Sequence, residues 1–268
     1  MKKYELTNES ITIDNGKTLY RIRALIDIEA IGVKIGDLGG YIEKEENLSH
    51  CGNAWIYDDA MVYDNARVYD NAMVCDNTKV YGNAEVYGTS VIGGNVDIFG
   101  NAKISDNTRI YGNARIYGNA RVYGNAMVCD NAEVYGNAKV HGTSMICGNV
   151  DIFGNARIFG NAKVHGNAWV YGDAMVYGNT WVCGDARICG DAEINKVTHV
   201  LTIGPIGSRN SITTFFRTKE NIIKVKCGCF YGTIDEFLAK VELTHGNNKH
   251  SQAYRIAAEL AKAQIDLK

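Results

Sequence analysis

The sequence has little proline, little excess charge and no long apolar run. One proline stands against 29 glycines among 268 residues, and because ordinary loops use proline freely, this ratio favours a repetitive chain. No apolar run approaches the roughly 18 residues that a membrane span requires. The 28 Lys and Arg residues nearly balance the 30 Asp and Glu residues, which argues against a nucleic-acid-binding protein.

The beginning of the chain and its cysteines bear on its location. Residues 1–5 lack the apolar core of a secretory signal peptide. Eight cysteines without an export signal are expected to be reduced thiols rather than a disulfide framework. We therefore expect a cytoplasmic protein with no membrane role, no nucleic-acid partner and no cofactor.

A six-residue repeat runs from Ala54 to Val197 without an insertion, so its 144 residues make 24 copies (144/6). The unit is Ala-x-Val-Tyr-Gly-Asn, as at residues 120–125. Positions one and three lie two apart and point to the same side of a strand, whereas positions two and four point outwards. The fifth and sixth positions, mostly Gly or Asp and then Asn, supply a turn.

A short strand and a turn in every hexad predict a three-faced parallel β-solenoid, with three hexads per coil and eight coils (24/3). Adjacent coils would be about 4.8 Å apart, the usual spacing of neighbouring strands. The period excludes an amphipathic helix, which repeats about every 3.6 residues. We predict a mostly β fold with an N-terminal β cap in 1–53, the solenoid in 54–197 and a small α+β module in 198–268.

The run from Val122 to Met127 resembles the hexapeptide repeat of the left-handed parallel β-helix superfamily. It departs from that pattern at the second place, where this chain mostly has Tyr, Phe, Cys or His. The segments 39–43, 47–49 and 52–57 are more specifically similar to the opening segment of YdcK-type hexapeptide proteins, and this likeness covers about residues 20–200. The resemblance implies left-handed coiling but no settled activity. A right-handed, bactofilin-like solenoid stays open, because the usual crossover rule favours that hand.

Residues one coil apart share a face of such a solenoid. The face that begins at Trp55, called the first outer face below, carries Met, Cys, Val and Trp. A long apolar surface of this kind marks an interface. We expect self-association as a trimer, as in the superfamily, or as a dimer, through Trp55, Met73, Val91, Met127, Met145, Trp181, Cys129 and Cys147. The other two faces carry charges beside aromatic columns, whose expected role is stacking that stiffens the rod. A surface that stacks sugars or bases is the alternative.

The superfamily resemblance also implies an acyltransferase with an acyl-CoA donor as an alternative function. Such enzymes use a histidine at a subunit interface and a loop extruded from the coils. No loop interrupts the 24 hexads, and His141 and His165 lie four hexads apart, one coil plus one face, so they do not share a column. We expect no catalytic residue and no metal site, and a polymer-forming structural protein is the third possibility.

The C-terminal segment differs in composition, with 10 Lys and Arg against 6 Asp and Glu in 198–268. The pattern predicts a strand over 199–203, a Gly-rich turn over 204–210 and a hairpin of 212–217 and 222–226. A capping box at Thr233 predicts a helix to about Thr244, and a second helix is predicted over about 251–265. The motif C-x-C at Cys227 with two later histidines has a shorter spacer than zinc sites use, so buried thiols are expected there.

Seven residues of this module have no obvious folding role: Gly207, Ser208, Arg209, Asn210, Thr213, Thr214 and Arg217. Backbone N–H groups, hydroxyls and guanidinium groups suit an anion, and the helix N-terminus at Thr233 would add to them. We expect a non-catalytic scaffold whose C-terminal module binds a partner or a small phosphate-bearing, nucleotide-like ligand. A plain turn and solvated hairpin is the alternative, because no P-loop ending is present. The segments GPIGSRN, TTFFR and CGCF resemble an uncharacterised module of Firmicute and phage hexapeptide proteins, which implies a mobile-element setting but no activity. If the origin is viral, sequestering a host nucleotide signal would be one use of such a module.

Overall fold

The structure of the protein, a computed structural model, describes residues 2–267. They form two compact units, one ending at Thr143 and the other beginning at Ser144. Both units are mostly β, and parallel solenoid strands make up a large part of each. None of the described helices is long and apolar enough to cross a membrane.

The first unit begins with three strands that cover the start of the solenoid: β1 (Tyr4–Thr12), β2 (Thr18–Ala24) and β3 (Leu38–Ile42). Strands β1 and β2 are antiparallel, as are β2 and β3, whereas β3 runs parallel to the solenoid strand Met61–Val62. Two short 3-10 helices, Glu29–Ile31 and Glu45–Asn47, lie between these elements. The expected N-terminal β segment is thus confirmed.

Fifteen two-residue strands, β4 to β18, follow in the first unit, one in each hexad. They are Trp55–Ile56, Met61–Val62, Arg67–Val68, Met73–Val74, Lys79–Val80, Glu85–Val86, Val91–Ile92, Asp97–Ile98, Lys103–Ile104, Arg109–Ile110, Arg115–Ile116, Arg121–Val122, Met127–Val128, Glu133–Val134 and Lys139–Val140. Within the unit each strand pairs in parallel with the strand one coil later, as Ile92 pairs with Ile110. The third residue of the hexad points inwards, and Ile92, Ile98 and Ile104 are fully buried.

The fifth residue of the hexad makes the turn, with φ of +60° at Asp64 and +70° at Gly82. Glycine adopts this left-handed conformation freely and Asp tolerates it. Asp also contributes a hydrogen bond, because the Asp64 carboxylate accepts the backbone N–H of Gly82 at 3.0 Å. Gly and Asp therefore both allow this turn, Gly through its conformational freedom and Asp with the help of a side-chain hydrogen bond.

The sixth residue, Asn, does something that the repeat pattern did not predict. The side-chain amide of Asn83 donates to the side-chain oxygen of Asn101 at 3.0 Å, and the side-chain amide of Asn101 donates to the side-chain oxygen of Asn119 at 2.9 Å. The same ladder occurs in the second unit, where Asn161 donates to Asn179 at 2.8 Å. These chains of amides tie successive coils together on the outside.

The aromatic columns stack, as the sequence predicted. In the first unit the ring centroids of Tyr81 and Phe99 are 5.0 Å apart and those of Phe99 and Tyr117 are 4.8 Å apart. In the second unit Phe159 and Tyr177 lie 4.7 Å apart. The planes are nearly parallel in each pair, so the rings continue the strand spacing on the surface.

The second unit opens with nine further solenoid strands, β19 to β27. They are Met145–Gly148, Asp151–Ile152, Arg157–Ile158, Lys163–Gly166, Trp169–Val170, Met175–Val176, Trp181–Val182, Arg187–Ile188 and Glu193–Ile194. They keep the same parallel register of one coil, as Ile158 pairs with Val176. A 3-10 turn, Val197–His199, ends the repeat.

The C-terminal module is a four-stranded antiparallel sheet with two helices. Its elements are β28 (Val200–Ile206), β29 (Ser211–Arg217), β30 (Ile223–Cys227), β31 (Phe230–Thr233), α1 (Ile234–His245) and α2 (Lys249–Gln264). The capping box at Thr233 is confirmed, since its hydroxyl accepts the N–H of Glu236. Strand β31 was not predicted, and α2 begins earlier than expected because the Asn248 side chain accepts the N–H groups of His250 and Ser251.

The module attaches to the last coil of the second unit by polar contacts. Ala192 forms an isolated antiparallel bridge with Thr218, and Lys224 pairs with Asp191 at 2.9 Å. The Thr214 hydroxyl accepts the backbone N–H of Arg187 at 3.0 Å. These bonds occupy edge groups that the final coil would otherwise leave without partners.

Candidate functional site

A pocket of about 220 Å³ opens in the C-terminal module. It lies where the turn between β28 and β29 and the turn between β30 and β31 face the last turns of α1. Its lining residues are Ser208, Arg209, Ser211, Cys227, Gly228, Cys229, Phe230, Phe237, Lys240, Val241, Thr244, His245 and Tyr254. Two sequence-predicted site residues, Ser208 and Arg209, therefore line it.

The floor of the pocket is aromatic and well buried. Tyr254 is 5% exposed and Phe237 is 3% exposed, and their rings meet edge to face with centroids 5.4 Å apart. Phe230 lies against Phe237 at the same centroid distance of 5.4 Å. Such a floor suits the apolar or aromatic part of a small ligand.

Tyr254 places a phenol at the base of this floor. Burial raises the pKa of Tyr254 to about 12, and its contact with the Cys227 thiol, 3.8 Å from the phenol oxygen, acts in the same direction. Thr213 in turn donates its hydroxyl to the Cys227 sulfur at 3.2 Å. The phenol thus stays protonated at neutral pH.

The rim carries positive charge. Arg209 and Lys240 are exposed residues that line the pocket, and neither forms an ion pair within residues 2–267. Arg209 lies over the β30–β31 turn, where a Cβ added to Gly228 would be 3.4 Å from its Nη1 atom. No carboxylate is among the lining residues that the structure describes, so the pocket favours an anion.

The N-terminus of α1 does not contribute to this pocket, contrary to expectation. The pocket touches the last turns of the helix, at Lys240 and His245, whereas Thr233 lies about 10 Å from Lys240 along the helix axis. The carboxylate of Glu236 already occupies the N-terminal end, where it accepts the Thr233 N–H at 2.8 Å. An anion in the pocket would be bound by side chains and not by the helix dipole.

The other predicted ligand residues have structural roles. Gly207 has a φ of +74°, and a Cβ there would lie 1.8 Å from the Tyr254 hydroxyl oxygen. Asn210 completes the same turn with a φ of +44°. These two residues shape the turn that carries Ser208 and Arg209, and neither lines the pocket.

The prediction is corrected for Thr213, Thr214 and Arg217. The two threonines are 0% and 1% exposed, and each uses its hydroxyl inside the fold. Arg217 donates to the backbone oxygen of Glu193 at 3.4 Å and lies 3.6 Å from its carboxylate. All three belong to β29, which is held between the last solenoid coil and the rest of the sheet.

Sequence reasoning missed Lys240, Thr244, His245 and Tyr254. Lys240 and Thr244 lie side by side on α1, as do Val241 and His245 of the same lining, because residues four apart are neighbours on a helix surface. This helical spacing can be seen in the sequence, but it does not show which turn of the module lies opposite that face of α1.

The cysteines and histidines of the module lie near this pocket without forming a compact set. In the part of the chain that the structure describes, Cys227, Cys229, His245 and His250 do not bring three ligand atoms within 4.8 Å of one another. The rings of His245 and His250 have centroids 5.9 Å apart. Free thiols are found at Cys51, Cys75, Cys183, Cys189, Cys227 and Cys229.

The residues expected at a subunit interface differ in exposure. Trp55 is a correction, because it is 1% exposed and its ring meets the edge of Tyr4 from β1 at 6.4 Å. Cys129 is also buried, at 7% exposure. The partly exposed members are Met73, Val91, Met127, Met145 and Cys147, and Trp181 is 56% exposed.

Comparison with known families agrees with the geometry of the coils. The family model for the YdcK beta solenoid repeat matches residues 102–122, 114–130 and 168–184. No curated protein matches the chain. The matched segments lie on solenoid strands of both units, in the register of one coil described above. The repeats of this protein are therefore YdcK-like β-solenoid repeats, and the chain is a YdcK-like repeat β-helix with a small C-terminal α+β region.

Proposed function

We propose that this protein is a β-solenoid scaffold whose C-terminal module binds a small phosphate-bearing anion. The observation that carries the proposal is that Arg209 and Lys240 both line a pocket with no carboxylate in its described lining. A guanidinium group binds phosphate oxygens in pairs, and an ammonium group adds a mobile point charge. The aromatic floor supports a ligand that also has an apolar or aromatic part, as a nucleotide does.

The test uses inorganic pyrophosphate, a probe with phosphate groups and no ring, in calorimetric titrations of the full chain. We expect Arg209→Ala and Lys240→Ala each to weaken binding about tenfold, which is what the loss of one charge-assisted contact of about 1.4 kcal/mol produces. Lys219→Ala is the matched control, because Lys219 is an exposed cation in the β29–β30 turn that does not line the pocket. Equal binding by the parent and both pocket variants would refute the proposal.

We also propose that the chain self-associates, as a dimer or trimer, through its first outer face. Trp181, which is 56% exposed on that face of the second unit, supports this idea. Light scattering on the full chain should give a mass above one subunit, and Trp181→Ser should lower it. Trp169→Ser is the matched control, because Trp169 is also exposed, at 40%, but belongs to another face. A monomeric parent protein would overturn the proposal.

The setting that we propose is the cytoplasm of a cell that carries a mobile element. The resemblance of the C-terminal module to Firmicute and phage proteins supports it, and sequestration of a nucleotide signal is the use that we propose. Native mass spectrometry of untagged protein purified from cells would test this use. A released nucleotide-sized anion is the expected result, and CoA among the released molecules would favour the acyltransferase instead.

A further inference from the structure

One aromatic column of the first unit is interrupted at a single position. It runs beside the sheet formed by β6, β9, β12, β15 and β18 and consists of Tyr69, Tyr87, Ser105, Tyr123 and His141. Tyr69 and Tyr87 stack with centroids 4.8 Å apart, and Tyr123 and His141 stack at 4.7 Å. Between the two stacked pairs, Ser105 stands where a ring would continue the column.

The missing ring leaves a slot. Tyr87 and Tyr123 are two coils apart, so their rings are separated by about 9.6 Å, twice the strand spacing. A flat ring midway between them would lie at the distance that the stacked neighbours already show. A cavity of about 220 Å³ occupies this place and is lined by Tyr87, Lys103, Ser105, Arg121, Tyr123 and Lys139. This volume is below the roughly 300 Å³ at which pockets that enclose a drug-sized ligand begin, so the slot holds a planar ring system while the rest of the ligand stays outside it.

The slot is bordered by cations. Lys103 pairs with Glu85 at 3.0 Å, and that carboxylate also accepts the Tyr69 hydroxyl at 3.0 Å. Arg121 and Lys139 form no ion pair within the described residues. Two cations thus remain available at the slot, and no carboxylate belongs to its described lining.

Ser105 supplies a polar group at the back of the slot. It is 8% exposed, and its hydroxyl has no hydrogen-bond partner within residues 2–267. Thr108 donates its hydroxyl to the Ser105 backbone oxygen at 2.6 Å, which leaves the Ser105 hydroxyl itself unengaged by the described residues. A ligand in the slot can therefore receive a hydrogen bond from Ser105.

We propose that this slot binds a small planar aromatic anion, a ring that carries a phosphate group. The ring stacks between Tyr87 and Tyr123, where it completes the column, and the phosphate pairs with Arg121 and Lys139. Stacking on tyrosine faces tolerates any planar base, so the slot selects flatness and negative charge. This site shares no residue with the C-terminal pocket and does not depend on it.

The test uses adenosine monophosphate and the full chain with Arg209→Ala and Lys240→Ala, which remove the cations of the C-terminal pocket. In this background, Ser105→Tyr should weaken binding at least tenfold, because the new ring fills the slot. Ser105→Ala is the matched control, since it leaves the slot open and should change binding less than about threefold. Because Tyr occupies the equivalent place in neighbouring coils, the thermal midpoint of Ser105→Tyr should be no lower than that of the parent.

Two further probes separate the ring from the charge. Adenosine lacks the phosphate and ribose 5-phosphate lacks the base, so each should bind at least tenfold more weakly than adenosine monophosphate. Arg121→Ala should weaken the nucleotide but leave adenosine unchanged. The proposal is overturned if adenosine monophosphate does not bind, if Ser105→Tyr binds it as well as Ser105→Ala, or if ribose 5-phosphate binds equally well.

Discussion

Lys224 of β30 donates to both carboxylate oxygens of Asp191 in the last solenoid coil, at 2.9 and 3.0 Å. Tyr231 of β31 donates a third hydrogen bond to the same carboxylate at 2.7 Å. Burial opposes ionisation of Asp191, but these donors outweigh it and hold the pKa of the carboxyl group below its usual 3.8. One solenoid side chain thus binds two strands of the C-terminal module.

The Asp191 contact should make attachment of the module sensitive to acid. Because the folded-state pKa is lowered, the stabilisation is present in full above pH 3.8 and is lost as the pH falls through the folded value. Asp191→Asn should lower the free energy of unfolding at pH 7 by about 1–2 kcal/mol. Urea titrations at pH 7 and pH 3 should show this difference shrinking at the lower pH. A constant difference would contradict the assignment.

Glycine at the fifth hexad position should be replaceable by Asp more easily than by Ala. Gly118 has a φ of +70°, and its added Cβ would lie 3.0 Å from the Gly136 nitrogen. Ala should cost about 1–2 kcal/mol at such a left-handed position. Asp should cost less, because its carboxylate can accept the Gly136 N–H, as Asp64 accepts that of Gly82. Thermal midpoints should therefore fall in the order parent, Gly118→Asp, Gly118→Ala.

The Asn ladder should respond in steps to substitution. Asn101 accepts from Asn83 and donates to Asn119. Asn101→Ala removes both hydrogen bonds and should cost about 1–2 kcal/mol, at about 0.5–1 kcal/mol for each bond. Asn101→Asp keeps the hydrogen-bond acceptor and loses the donor. Near pH 7 it should therefore lower the free energy of unfolding about half as much as Asn101→Ala does. Equal unfolding midpoints for the two variants would argue against a ladder.

The coils were predictable because each hexad position meets the same surroundings in every copy. A Val or Ile at position three, such as Ile98, needs only strand alternation to be placed in the core. The Asn ladder was missed because a turn alone explains Asn at the sixth position. Trp55 was misplaced because its repeat position is at least partly exposed in the other coils, whereas the ring of Tyr4 from β1 packs against Trp55.

The C-terminal pocket was predictable only in part, because it depends on contacts between distant segments. The turn at Ser208 and Arg209 was visible as a polar cluster, and both residues do line the pocket. Lys240 and Tyr254 come from two helices, and no local pattern tells which turn those helices will face. Thr214 was predicted to bind the ligand because it is polar. In the structure its hydroxyl instead accepts the backbone N–H of Arg187 in the neighbouring coil.

Gly207 should be the least replaceable glycine of the C-terminal turn. An alanine Cβ there would lie 1.8 Å from the hydroxyl oxygen and 2.1 Å from the Cζ of Tyr254, so both the turn and the pocket floor must shift. We expect Gly207→Ala to lower the free energy of unfolding by about 2–3 kcal/mol, the sum of overpacking and left-handed strain. Gly184→Ala is the matched control, because Gly184 has a similar φ of +66° and nothing within 4 Å of its added Cβ. That control should show the backbone cost alone, about 1 kcal/mol. Equal losses in the two variants would mean that Tyr254 yields easily, and the pocket floor would then be softer than its burial indicates.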